Sequence, residues 1–321
     1  KDARCAYQVH TNPAAITVAT ARALREATTP PTGPVYLSIS AELLNRDGLE
    51  AQIGEDAQYV IERPGPARPQ TVEAIARRLG EARCPVLMFG DDVWRGGAGA
   101  EAVRLAEVLE APVFASRQIY VNFPSRHPLY CGMYPVSADF KKTAGLEPDL
   151  IFLAGCQGVH GAVTEPSVIQ IGPNPLLMGR HYPLDVAAQC ELKETLTSLT
   201  AALARLYPSA AWKRERAKVR DYAKRLIQRE EELVREHEHD TTVHPSQLEA
   251  QLAALLPRNT VMVQESSTAR TTLMSFGHDA MAWTRSGGGS LGFGVGAAIG
   301  AKLAVGRERP VVLHLGDGAL T

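Results

Sequence analysis

"RPVVLHLGDGALT" (Arg309–Thr321) is the stretch that decides the fold class. Its mainly apolar run, Val311–Leu315, leads directly into Gly316, Asp317 and Gly318, which predicts a buried strand of a parallel sheet followed by a turn. Ligands of α/β sheets bind beyond the carboxyl ends of the strands. Glycines there let the backbone approach a phosphate, and one carboxylate can hold Mg²⁺ on the phosphate oxygens. The same composition is typical of an ordinary turn, so the motif alone leaves both interpretations open.

Two segments upstream predict neighbours for this turn. "SGGGSLGFGVGAAIG" (Ser286–Gly300) contains seven glycines. The earlier ones suit a loop that approaches a ligand ring, and the later ones suit a helix packed closely on a sheet. "QESSTARTT" places the hydroxyls of Ser266, Ser267 and Thr268 where a helix begins, which favours an anion. Ordinary N-capping explains any one of these hydroxyls equally well.

The rest of the chain alternates strand and helix patterns, which predicts an α/β fold with parallel sheets. Helical periodicity covers Gly99–Ala111 and Leu192–Leu206, and a mainly charged segment at 212–240 predicts an exposed helix that bridges two domains. The strand-like runs are "GPVYLSIS" (Gly33–Ser40), "PVLMFG" (Pro85–Gly90), "PVFAS" (112–116), "DLIFLAG" (Asp149–Gly155), "SVIQIG" (Ser167–Gly172) and "TVMVQE" (260–265). We therefore predict a doubly wound central domain.

Composition excludes several classes of function. The 321 residues carry 34 Lys and Arg against 35 Asp and Glu, a formal charge of -1, so there is no general electrostatic drive toward nucleic acid or an anionic membrane. A local basic patch is still compatible with this balance. No apolar run approaches the ~20 residues of a membrane span. The five cysteines are scattered without a CxxC pair, which argues against a disulfide scaffold or cysteine zinc site and predicts a reducing cytoplasm.

Taken in order, these motifs resemble the thiamin diphosphate-dependent enzymes. "GGGSLGFGVGAAIGAKLA" followed by "RPVVLHLGDGALT" is similar to the family's diphosphate-binding domain, "GPVYLSIS" resembles the last strand of its pyrimidine-binding domain, and "EAPVFASRQIYVNFPSRHPLYCGMYP" resembles its central domain. The resemblance implies these boundaries: the end of the pyrimidine-binding domain at 1–45, a linker at 46–69, the central domain at 70–206, a linker helix at 207–242, and the first part of the diphosphate-binding domain at 243–321.

The resemblance also implies a site for thiamin diphosphate and Mg²⁺. Asp317 corresponds to the metal ligand, Gly289 to the glycine whose carbonyl meets the aminopyrimidine, and Leu291 to the apolar wedge that bends the cofactor. Ser267 and Thr268 correspond to hydroxyls that face the diphosphate. The positions that lend backbone to the diphosphate are Gly316, Gly318 and Ala319.

The implied activity is decarboxylation of a small 2-oxo acid, as in the benzoylformate decarboxylase group, by a homo-oligomer (a dimer or tetramer). An acetolactate synthase-like carboligase is the alternative, and an FAD site in the central domain would favour it. The strand that ends at Gly172 is followed by no acidic residue for a ribose, so we expect that domain to be empty. His160 is the nearest candidate for a catalytic histidine, although its offset from the preceding glycine differs from the family pattern. His314, inside a strand, is interpreted as a packed residue.

Lys1 opens the sequence and Thr321 closes it within a motif, so we expect an internal fragment of a longer polypeptide. The family's activating glutamate then lies before Lys1, and its second metal ligand, an asparagine, lies after Thr321. On this expectation the chain alone is an inactive, non-catalytic fragment, and Gly33–Ser40 is a strand without its sheet.

Overall fold

The computed structural model describes residues 5–48, 61, 64–115, 119–133, 145–156, 166–180, 182–207, 216–266, 268, 282–283 and 291–320. The chain divides into two compact units, Lys1–Gly65 and Pro66–Thr321. No helix in these described ranges has the length and apolar character that crossing a membrane requires.

The first unit contains a small parallel sheet. Strand β1 (Ala6–Val9) pairs with β2 (Tyr36–Ile39), with helix α1 (Ala15–Thr28) between them and the short helix α2 (Ala41–Leu44) after them. Val9, Ala19 and Leu43 form its buried core. The expectation that Gly33–Ser40 lacks a sheet partner is therefore wrong, because β1 supplies one.

A six-stranded parallel sheet forms the centre of the second unit, in the order β5-β4-β3-β6-β7-β8. The first of these strands along the chain, β3, is internal to the sheet, and the later strands are added on both sides of it. The sheet is therefore doubly wound, as predicted. Its strands are β3 (Pro85–Phe89), β4 (Val113–Ala115), β5 (Tyr130–Met133), β6 (Leu150–Ala154), β7 (Ser167–Gly172) and β8 (Val186–Gln189).

Four helices accompany this sheet: α3 (Pro69–Glu81), α4 (Asp91–Arg95), α5 (Gly99–Leu109) and α6 (Leu192–Leu206). Both α3 and α5 pack on α6. Helix α3 begins with Pro69, whose fixed φ suits the first helical position, and its side chains at helical spacing, from Val72 to Leu79, are buried. Strands β3 and β6 are buried on both faces, as parallel strands under helices are.

Helix α7 (Arg216–Glu236) follows and is the predicted charged helix. It is not wholly exposed, because it packs on β5 and buries Val219 and Ala223. An ion pair of 2.8 Å between Arg126 and Glu231 joins the helix to the loop before β5. The few apolar residues of this charged segment recur at helical spacing, and two of them supply the face that packs.

The last part of the chain forms a three-stranded parallel sheet in the order β10-β9-β11. On one face, residues of α8 pack against Met262 and Val312, and on the other α9 approaches Leu313. A short 3-10 turn, Asp317–Ala319, follows β11. The elements are α8 (Pro245–Leu255), β9 (Val261–Glu265), β10 (Ala282–Trp283), α9 (Phe293–Val305) and β11 (Val311–Leu315).

Candidate functional site

The Gly316–Ala319 turn lies at the carboxyl end of β11. The N–H of Gly316 donates to the carbonyl of Glu265 at 3.0 Å, which continues the pairing of β9 and β11, and the N–H of Ala319 donates to the carbonyl of Gly316 at 3.0 Å. Asp317 and Gly318 are exposed, whereas Ala319 is buried. Within the described ranges no hydrogen bond or ion pair occupies the Asp317 carboxylate. The turn therefore presents one uncommitted carboxylate to solvent on a fixed backbone.

The predicted hydroxyl segment begins where β9 ends. The hydroxyls of Ser266 and Thr268 lie 3.1 Å apart, and Thr268 is exposed. Ser267, which was predicted together with Thr268 to face the diphosphate, lies outside the described residues. Gly289 and the candidate catalytic residue His160 also lie outside them. The roles of all three remain predictions.

Leu291 lies immediately before α9. Its side chain is 73% exposed, although leucine is normally buried, and Gly292 after it has a φ of +89° that favours glycine. An exposed branched aliphatic side chain on a fixed turn suits contact with a ligand ring. This placement is compatible with the wedge role that the family resemblance implies.

Glu265 joins the turn before α9 to the end of β9. Its Oε1 accepts the N–H of Gly292 at 2.6 Å, and its Oε2 accepts the N–H of Gly294 at 2.6 Å. The residue is only 8% exposed. Because its carbonyl also accepts the N–H of Gly316, one residue connects the segments that contain Leu291 and Asp317.

Sequence reasoning did not single out Glu265. The sequence feature that could have identified Glu265 is a carboxylate at the carboxyl end of a strand. The space for that carboxylate is left by a glycine elsewhere in the chain. A Cβ built on Gly294 would lie 2.7 Å from Oε2 of Glu265 and 3.0 Å from Cδ1 of Leu313, so a side chain at 294 would displace the carboxylate. That match between positions 265 and 294 is visible only once the sheet is assembled.

The occupied N-terminus of α9 restricts where an anion can bind. A helix N-terminus with free N–H groups attracts phosphate. Here the N–H groups of Gly292 and Gly294 already donate to a carboxylate, and a second anion would meet its negative charge. The diphosphate of a cofactor is therefore better accommodated at the Gly316–Ala319 turn than at the start of α9.

A buried pair of titratable side chains lies under α8, on the other face of the same sheet. Nδ1 of His314 lies 2.7 Å from Oε1 of Glu249, whose side chain is fully buried. The angles are not those of a hydrogen bond, and neither Glu249 oxygen has a hydrogen-bond partner among the described residues. Burial raises the pKa of Glu249, while the nearby His314 lowers it by a smaller amount. His314 is thus an internal residue paired with a carboxylate.

Backbone contact fills the space between the carboxyl ends of β3 and β6. A Cβ built on Gly90 would lie 2.2 Å from the carbonyl oxygen of Gly155, and one on Gly155 would lie 2.9 Å from Cδ1 of Leu192. This is where the strand order reverses and where nucleotides bind in doubly wound folds. The expectation that the central domain is empty of FAD stays a prediction.

The donor set at Asp317 fits Mg²⁺ on a diphosphate. Mg²⁺ is usually held by one or two carboxylates together with phosphate oxygens and water rather than by an all-protein cage. In the described ranges no group of three His, Cys, Asp or Glu side chains could hold a metal, which leaves the single carboxylate of Asp317 in the turn. No described atom lies within 4 Å of a Cβ built on Gly318, so the backbone there is open to a ligand.

Comparison with known families gives matches to two segments of the chain. The family described as "Thiamine pyrophosphate enzyme, central domain" matches residues 72–199, and the one described as "Thiamine pyrophosphate enzyme, C-terminal TPP binding domain" matches residues 266–321. The chain belongs to the thiamine pyrophosphate enzymes. Thiamine pyrophosphate is another name for thiamin diphosphate, so the family resemblance expected from the sequence is confirmed.

Three curated relatives cover most of the chain. A sulfoacetaldehyde acetyltransferase of Castellaniella defragrans is 27% identical over 98% of this chain, and a benzoylformate decarboxylase of Pseudomonas aeruginosa is 28% identical over 94%. An acetolactate synthase large subunit of Mycobacterium tuberculosis is 32% identical over 80%. The chain spans 56% of the length of the first two and 46% of the third.

A solved structure agrees on the fold. The thiamine diphosphate-dependent 4-hydroxybenzoylformate decarboxylase of Rhodococcus jostii aligns with a TM-score of 0.74 at 24% identity, covering 99% of this chain and 58% of that one. At this identity the likeness establishes the α/β architecture.

Proposed function

We propose that the protein acts in a thiamin diphosphate- and Mg²⁺-dependent decarboxylation of a 2-oxo acid. The observation that carries the proposal is the exposed Asp317 carboxylate, uncommitted within the described ranges, in a glycine turn at the carboxyl end of β11. The relative named benzoylformate decarboxylase supports this reaction class.

In this proposal each residue of the site has a separate task. Asp317 holds the cation, the open backbone at Gly318 donates to phosphate oxygens, and Thr268 offers a hydroxyl to the same anion. Leu291 contacts the rings of the cofactor with its exposed side chain. When bound, the cofactor supplies the electron sink that decarboxylation of a 2-oxo acid requires. We also assign Ser267 and Gly289 to cofactor binding and His160 to catalysis, as the resemblance implies.

Titration of the protein with thiamin diphosphate and Mg²⁺ tests the site. Asp317→Ala should weaken Mg²⁺-dependent binding by about 100-fold, because charged contacts contribute about 1.5–3 kcal/mol each. Asp47→Ala removes an exposed aspartate from the first unit and serves as the control, with unchanged affinity expected. Equal affinity for Asp317→Ala and wild type would remove Asp317 from the metal site.

The reaction itself is tested with benzoylformate and with pyruvate. Aldehyde release from benzoylformate supports the decarboxylase. Formation of acetolactate from pyruvate would favour the carboligase, which the relative named acetolactate synthase supports. Binding of FAD, followed by flavin absorbance, would favour the carboligase too, whereas the close contact of Gly90 and Gly155 argues against it. If neither product forms, the result would favour a non-catalytic role for this chain.

We propose in addition that the protein forms a homo-oligomer. The outer face of α9 carries an exposed apolar stripe whose members recur every four residues, and a patch of this kind is typical of an interaction surface. The stripe consists of Val295, Ile299 and Leu303. Light scattering measures the oligomeric state, and Leu303→Asp should shift the equilibrium towards the monomer.

We also propose a cytoplasmic location. None of the five cysteines, all within the described ranges, forms a disulfide, which supports this location.

A further inference from the structure

Glu265 accepts three hydrogen bonds, which come from two separate segments of the chain. Its carboxylate accepts the N–H groups of Gly292 and Gly294, both at 2.6 Å, at the start of α9. Its carbonyl accepts the N–H of Gly316 at 3.0 Å, directly before Asp317. The two segments are separate in sequence, and Glu265 is the described residue that contacts both through hydrogen bonds.

The chemistry of these contacts requires a carboxylate. Two N–H groups converge on the side chain from one direction, and an ionised carboxylate accepts at both oxygens. The amide of glutamine has one oxygen and one NH₂ group, so one backbone N–H would face another donor. Aspartate is one methylene shorter. Charge-assisted hydrogen bonds to backbone N–H groups are also stronger than neutral ones, and here they are shielded from water.

We propose that Glu265 is a positioning residue, whose carboxylate fixes the turn that carries Leu291 at a constant distance from the turn that carries Asp317. This inference rests on the proposed function, because Leu291 and Asp317 are the residues assigned there to the rings and to the cation. Glu265 itself touches no reacting group. Its effect is to keep the two ends of one cofactor site in register.

The first experiment needs no cofactor. Hydrogen–deuterium exchange of the full chain measures the amides of Gly292 and Gly294 in wild type, Glu265→Gln and Glu308→Gln. Glu308 is exposed and makes the matched control for the change of charge. In Glu265→Gln exchange at these amides should accelerate by about 10- to 100-fold, since one charged hydrogen bond is lost. Exchange equal to that of the control would overturn the contact's role.

The second experiment separates positioning from general stability. A double-mutant cycle in the complete protein combines Glu265→Gln with Leu291→Ala, and both kcat and the affinity for thiamin diphosphate with Mg²⁺ are measured. If Glu265 acts through Leu291, the Glu265→Gln substitution should lower kcat about 10-fold or more in the wild-type background. It should have little further effect in the Leu291→Ala background. Additive losses would overturn the proposal, because they would mean that Glu265 only stabilises the domain.

A second route disturbs the same contacts without changing the glutamate. Gly294→Ala places a methyl group against Oε2 of Glu265, whereas Gly296→Ala on the same helix meets open space. Gly294→Ala should reproduce the exchange and kcat effects of Glu265→Gln, and Gly296→Ala should not. This pair keeps the proposal testable if Glu265→Gln does not fold, and equal behaviour of the two alanine variants would overturn it.

The outcomes also distinguish this inference from the proposed function. Faster exchange in Glu265→Gln, together with no binding of thiamin diphosphate by wild type, would uphold the structural contact and overturn both the cofactor site and the positioning role built on it. Binding by wild type with unchanged exchange in Glu265→Gln would uphold the site and overturn the role of Glu265.

Discussion

Removing either member of the Glu249 and His314 pair alone should destabilise the C-terminal sheet by a large, pH-dependent amount. We propose to replace each residue by leucine, singly and together. His314→Leu leaves a fully buried carboxyl group without the imidazole that lies beside it. Removing one partner of a buried pair costs about 3–5 kcal/mol, whereas replacing both by apolar residues is often neutral or stabilising. The double variant should therefore be more stable than either single variant.

The upper limit of the His314→Leu cost follows from proton binding. An isolated buried carboxylate becomes neutral, and protonating a glutamate of ordinary pKa, about 4.3, costs about 4 kcal/mol at pH 7 but only about 1 kcal/mol at pH 5. The destabilisation by His314→Leu should thus shrink between these two values. In wild type the folded-state pKa of Glu249 is raised, so its contribution is fully present below about pH 4.3 and is lost as the pH rises through the raised value. Glu249→Gln should lack that slope.

Urea denaturation at the two pH values measures these costs. Because the chain has two units, hydrogen exchange of α8 and β11 assigns the transition to this sheet. Glu308→Leu, an exposed change in the same domain, should alter the free energy of unfolding by less than about 0.5 kcal/mol. Small, additive losses for the single variants, unaffected by pH, would refute the reasoning.

Three further predictions concern single residues. Leu291→Ala should lower kcat more than cofactor affinity, because the diphosphate contacts are retained, and equal losses in kinetic and binding assays would make it a packing residue. Gly155→Ala should destabilise the central domain by about 2–5 kcal/mol in urea, because φ is +66° and the new Cβ would lie 2.9 Å from Leu192. In native protein at pH 8 a thiol reagent should label the partly exposed Cys5 but not the buried Cys131, whose pKa burial raises to about 12. Mass spectrometry of the labelled protein identifies the modified cysteine, and labelling of Cys131 before Cys5 would contradict the prediction.

Elements that carry their own local signal were predictable from the sequence. The bounds predicted for β7 and α6 agree with the structure, because an apolar β-branched run and a long amphipathic repeat are each nearly unambiguous. Strands β5 and β8 were missed. The first contains Gly132, and the second is the alanine-rich "VAAQ", so neither has the composition of a typical strand.

The candidate site divides in the same way. The turn that holds Asp317 and its glycines was predictable because the strand and the turn adjoin in sequence, and the role of Asp317 in binding stays a prediction. Glu265 was not, since its importance depends on Gly292 and Gly294, which reach it only through tertiary structure. The Glu249 and His314 pair was missed for the same reason, as each side chain alone gives no sign of a partner.

The strand order of the C-terminal sheet has a consequence for biosynthesis. β9 is the middle strand, yet both of its partners come later in the chain, and β11 pairs with it only after α9 has been made. On the ribosome the apolar strand β9 therefore waits with unpaired edges, which are templates for association with other chains. Pairings between distant segments also form slowly. The segments that contain Asp317 and Leu291 are consequently ordered late in synthesis, and chaperone supply should affect the yield of correctly folded C-terminal sheet.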